Sequence, residues 1–155
     1  MPVEYLTSEQ EQRYGRYVGE PSPEQLARYF HLDDEDRLLI AQRRGKHNRL
    51  GFGVQIGTLR FLGTFLTDPV NVPVGVIAYV ASQLGIANPQ CIVRYAERIQ
   101  IQQDHTQEIL QHYSYKEFSD RRGGFALIRF LYARCSSLER TGFSMEQAIL
   151  HVLSA

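Results

Sequence analysis

Four cations fall within seven residues at Arg43, Arg44, Lys46 and Arg49, with His47 and Asn48 between them and Gly45 placed to end a helix. Guanidinium and ammonium groups at this density suit a polyanion, and a phosphate grip is the chemistry they support best. Asn48 or one of the arginines adds a group able to read a base edge. Smaller basic groups recur further on. Arg94 and Arg98 are four residues apart, expected on one helix face, and Lys116, Arg121 and Arg122 lie in the turn-rich stretch SYKEFSDRRGG. Each basic group also has a plain reading as solvated surface.

Other chemistry is poorly supported. Asp104, Glu108 and His112 align at i, i+4 and i+8, but no fourth ligand or HExxH pattern accompanies them, so a solvated helix face explains them better than a metal. The acids from Asp33 to Asp36 fit helix capping, since adjacent carboxylates at a helix start diverge. Serine, cysteine and histidine occur without the local signature of a nucleophilic site. Glycines at 51, 53 and 57 miss the GxGxxG spacing, and there is no Walker-type loop. No catalytic residue, metal site or cofactor is expected.

The elements that must position the basic turn read as helices throughout, giving an all-α fold. Thr7 or Ser8 caps a short helix stopped by Gly15. Ser22 and Pro23 open a second, and Asp33 or Asp34 begins a third that runs to the arginines of the turn. The central helix comes next and is expected to end near Thr67. At 100° per residue it places Arg49, Gly53, Gly57, Arg60 and Thr64 on one narrow stripe, with apolar side chains over most of the remaining circumference. The stripe has two readings: the glycines admit a neighbouring helix while the arginines reach solvent, or Arg49 and Arg60 face a polyanion. Pro73 starts another helix, Asn88 and Pro89 a further one with Arg94 and Arg98, and residues 101–113 continue as helix. Phe125, Ile128, Leu131 and Tyr132 are expected to form the core face of a later helix, and Ser144 caps the last. Two lobes, residues 1–70 and 71–155, are expected, and the third and fourth helices could make the first helix-turn-helix-like.

Charge is distributed unevenly although the total is zero. Residues 1–36 carry nine acids and three bases, residues 37–67 six bases and no acid, and residues 68–155 eight of each. A local field that attracts phosphate survives a neutral sum. Cys91 and Cys135 form no disulfide framework, which suits a reducing compartment. The start has no leader character, and Arg60 interrupts the best apolar span, so a cytoplasmic protein without a membrane partner is expected.

The stretch PVEYLTSEQEQRYGRYVGEPSPEQLARYFHLDDEDRLLIAQRRGKHNRLGFGVQIGTLRFLGTFL resembles the amino-terminal region of transposases of the Tn-three family, the class II replicative transposons. VPVGVIAYVASQLGI, RYAER and YSYKEFSD are similar to later stretches of the same region, so the resemblance spans nearly the whole chain. HNRLGFGVQIGTLRFLG is its most specific part. The resemblance implies a helical module that binds the terminal inverted repeats of a transposon, with catalysis by a separate RNase H-like domain absent from this chain. It implies double-stranded DNA at transposon ends and the rest of a transposase chain as partners, with self-association an open option, in a bacterial, nucleoid-associated setting. The alternative is a helical protein-interaction module for transposase assembly. Individual contacts come from the charge pattern alone: Arg43, Arg44, Lys46, His47, Asn48 and Arg49, then Arg60, Arg94, Arg98, Lys116, Arg121 and Arg122.

Overall fold

Local signals set most helix starts. The computed structural model describes residues 7–115, 128–131 and 133, and every regular element among them is helical. Thr7 caps α1 (Ser8–Arg13), Ser22 with Pro23 opens α2 (Pro23–Tyr29), and Asp33 caps α3 (Asp34–Ala41); in each, the third helical residue bonds back to the cap. The central helix α4 (Lys46–Leu62) is followed by α5 (Val74–Gln83). A 3-10 turn (Pro89–Cys91), with Asn88 accepting from the Gln90 amide, leads into α6 (Ile92–Ala96) and then α7 (Ile99–His112). Of the expected core face, Phe125 and Tyr132 lie outside the described residues, as does the cap at Ser144, while Ile128 and Leu131 are helical but exposed and half-buried respectively rather than in a core.

The boundaries on either side of α4 differ from expectation for identifiable reasons. Gly63, at φ 74°, ends α4 four residues or so before Thr67, its amide bonding the Leu59 carbonyl at 2.9 Å. Upstream, α3 stops at Ala41 rather than running to Arg44. The Arg49 guanidinium donates to the carbonyls of Arg43 at 3.0 Å and Ala41 at 3.4 Å, and Gly45 at φ 83° turns the chain.

The core is built on α4. Leu50 through Leu59 are all buried, and α2, α3, α5 and α6 pack around them. Its glycines are sockets for side chains from three directions. A Cβ on Gly51 would lie 2.3 Å from the Tyr95 ring, one on Gly57 2.3 Å from Phe30, and one on Gly53 3.0 Å from Val80. Packing therefore accounts for the glycine stripe. Beyond it, Phe61 meets Tyr17, Tyr29 and Phe30 at ring separations of 5.6, 5.4 and 5.6 Å. Gln83 of α5 bonds the Leu32 amide and the Phe30 carbonyl, both at 2.8 Å, sewing the segment between α2 and α3 to α5.

The chain divides into two compact units, residues 1–109 and 110–155. Around residue 70, α4 contacts α2 and α3 before that point and α5 and α6 after it.

Candidate nucleic-acid interface

The turn between α3 and α4 is held from behind by a buried stack. Arg43 gives two hydrogen bonds of 2.5 Å to the Glu108 carboxylate of α7, and its guanidinium lies 5.0 Å from the centroid of the Phe52 ring. Phe52 meets His105 edge-on at 4.9 Å, and the Tyr95 hydroxyl shares a 2.9 Å hydrogen bond with His105 Nδ1. Tyr95 in turn fills the space over Gly51. Burial, reinforced by the Arg43 charge, pushes the His105 pKa down to about 4, so the imidazole is neutral near pH 7. Burial also pushes the Tyr95 hydroxyl well above its ordinary range. These groups position the turn, and Phe52, Tyr95 and His105 among them are buried.

Arg43 is thereby a structural cation rather than an open phosphate contact, and Glu108 is its counter-ion rather than part of a solvated face. Asp104 accepts from Gln100 at 3.0 Å, and no trio of His, Cys, Asp or Glu converges on a metal-sized site among the described residues. Arg60 has a similar fate. Its guanidinium donates twice at 2.8 Å to Asp36, whose side chain has no exposed surface, and it also reaches the His31 carbonyl. Arg60 thus has a carboxylate partner within the fold.

The outward-facing part is narrower than the sequence suggests. The Arg44 and Lys46 side chains are exposed, with no hydrogen bond or ion pair to the described residues. Arg49 is exposed but braces the turn carbonyls, and Asn48 donates to the Arg44 carbonyl at 2.8 Å, leaving its Oδ1 buried and unpartnered. The His47 ring folds back beside Gly45. The first turn of α4 is its most open part, because the helix is buried from Leu50 to Leu59 and half-buried from Arg60 to Leu62; with its middle covered, it cannot lie along a major groove as a recognition helix. That first turn has no acidic residue and no side-chain cap, so the positive end of a 17-residue helix opens beside Arg44 and Lys46.

Arg94, exposed on α6, shares one neighbour with Lys46. Both Lys46 and Arg94 are close enough to the Cys91 thiol to draw its pKa down, against a larger upward push from burial. Spacing alone separates these cations into two clusters, although the helices that carry Lys46 and Arg94 pack on one another. Arg98 is exposed in the turn after α6, off the helical register expected with Arg94, because α6 ends at Ala96. Lys116, Arg121 and Arg122 lie outside the described residues. No described helix is long and apolar enough to cross a membrane.

Residues 5–152 match the family described as a domain of unknown function, DUF4158. The transposase for transposon gamma-delta of Escherichia coli (strain K12) is 51% identical over 154 residues, which is 99% of this chain and 15% of that protein. The transposase for transposon Tn501 of Pseudomonas aeruginosa is 41% identical over 57% of this chain and 9% of its own length. The transposase for transposon Tn1546 of Enterococcus faecium is 34% identical over 75% of this chain and 11% of its own length. The chain thus spans 9 to 15% of the length of these relatives.

Proposed function

Because this chain belongs to the DUF4158 family and its homologues are Tn-three family transposases, we propose that it is a non-catalytic, DNA-binding portion of a transposase that engages the terminal inverted repeats of its transposon. One observation carries the reading: Arg44 and Lys46 flank the uncapped start of α4, exposed Arg94 acts on the same Cys91 thiol as Lys46, and none of the three is tied to a carboxylate among the described residues. An uncapped helix start offers backbone N–H donors to an anion, and flanking cations add charge without having to shed an existing ion pair. Contacts of this kind fix register on the phosphate backbone, and base discrimination falls to other groups.

A gel shift comparing the inverted repeat with a scrambled duplex at moderate salt tests the reading. Selective retention supports it. Replacing Arg44, Lys46 and Arg94 together by alanine is expected to weaken binding and to reduce the slope of log K against log salt by about one unit per lost phosphate contact. An unchanged slope in the folded variant removes the patch from the interface. Exposed Val93 and Ile99, on α6 and at the start of α7, favour a second reading as an assembly surface for transposase protomers. Absence of DNA retention at micromolar protein, with self-association in sedimentation, selects it instead.

A further inference from the structure

A cavity of about 610 Å³ opens between the linker that follows α1 and the loop that joins α4 to α5, at the opposite end of α4 from the basic turn. Its size falls in the range of about 300–1,000 Å³ common to small-molecule sites. Its walls combine Phe65, Leu66 and Val72 with three polar side chains that the fold leaves uncommitted. The Arg16 guanidinium and the Asn71 side-chain amide have no partner among the described residues. Asp68 uses only Oδ1, accepting from the Val70 amide at 3.2 Å, which leaves Oδ2 open. Gly19, at φ 92°, has open space where a Cβ would stand, so the wall there is backbone alone.

We infer that this cavity takes a single unstacked nucleotide bearing an exocyclic amino group. A flat base needs an aromatic wall, and Phe65 provides one. A carboxylate oxygen with no donor of its own suits the amino group of adenine, cytosine or guanine, and thymine has none to offer. The Asn71 side-chain amide can meet the remaining base edge, and Arg16 suits the attached phosphate. An isolated phosphate is a poorer match, since Asp68 would repel it. The choice of a nucleotide over a peptide rests on the DNA-binding reading above, although the cavity shares no residue with the basic turn.

Short single-stranded probes, a deoxyadenosine tetramer and a thymidine tetramer, titrated into the whole chain while backbone amide resonances are followed, test the inference. The adenosine tetramer is expected to shift Gly15, Gly19 and Asn71, with the thymidine tetramer binding several-fold more weakly. Arg16→Ala is expected to abolish the shifts, and Asp68→Asn, which keeps the oxygen that accepts from Val70, to erase the preference between the two probes. Shifts confined to the start of α4, no shifts at millimolar probe, or equal affinity for both tetramers overturns the inference. Duplex retention measured on Arg16→Ala separates the two proposals. Duplex binding that persists while the cavity ignores both probes defeats only the cavity, and cavity shifts without duplex binding defeat only the inverted-repeat reading.

Discussion

At the start of α4, Lys46 and the neighbouring Arg44 face solvent with no ion pair among the described residues, whereas near its end Arg60 is clasped by Asp36, a residue with no exposed surface. Both ends carry the same sign of charge, so sign alone does not decide which cation is open to a ligand. The difference lies in what the rest of the fold brings up. Asp36 stands one helix away and is oriented by the α3 capping box, so the Arg60 pair ties α3 to α4. Arg43 repeats the pattern within the basic turn itself, since α7 supplies Glu108. A cation becomes available to a ligand only where no packed neighbour neutralises it.

The contrast can be broken by substitution. Asp36→Ala is expected to cost about 3 kcal/mol in chemical denaturation, because it strands a partly buried guanidinium and removes half of a capping box. Next in size is Gly57→Ala, whose new methyl would lie 2.3 Å from Phe30. Alanine improves helix propensity by about 1 kcal/mol, yet displacing a buried ring costs about 1–3 kcal/mol, so a net loss of stability is expected in the same assay. A net gain would show that the stripe tolerates bulk and is not set by packing. Glu108→Gln should lower stability by about 1 kcal/mol, as expected for a partly exposed pair with good geometry. It should leave the salt dependence of DNA binding unaltered; a steeper slope would mean that released Arg43 reaches phosphate.

A subtler effect concerns pH. His105 has a folded-state pKa of about 4 against an ordinary 6.5, so the unfolded chain takes up a proton over an interval in which the folded one does not. Stability is therefore expected to fall as pH drops from about 6.5 toward 4 and to stop responding to this group below that. Denaturation midpoints across that interval should show the slope, and His105→Gln should reduce it. Smallest of all, the Arg44→Ala, Lys46→Ala double variant should leave the denaturation midpoint within about 0.5 kcal/mol of the parent, since neither side chain is bonded in the fold. A large loss would place these cations in the same structural class as Arg60.

Sequence patterns disclose the parts of this fold that depend on neighbours in the chain. Ser22 with Pro23, Asp33, and Asn88 with Pro89 act where their local chemistry places them, and the apolar circumference of α4 marks a buried helix. Gly63 is masked in the pattern because apolar residues continue through Leu66, although a glycine in the left-handed region stops the helix first. The fates of Arg43 and Arg60 are not legible, as their partners lie 65 and 24 residues away and charge spacing carries no information about tertiary pairing. For the same reason, nothing local links Arg94 to Lys46. The uncommitted trio at Arg16, Asp68 and Asn71 gives no local motif, because two separate loops assemble it.

Glu108 is made 65 residues after the arginine it holds. A ribosome producing this chain therefore releases the knuckle between α3 and α4 well before its matching acid exists. Until α7 emerges, the Phe52 ring and the Arg43 side chain lack their lid, and the early portion of the polypeptide has to wait for the late one before its surface charge takes its final form.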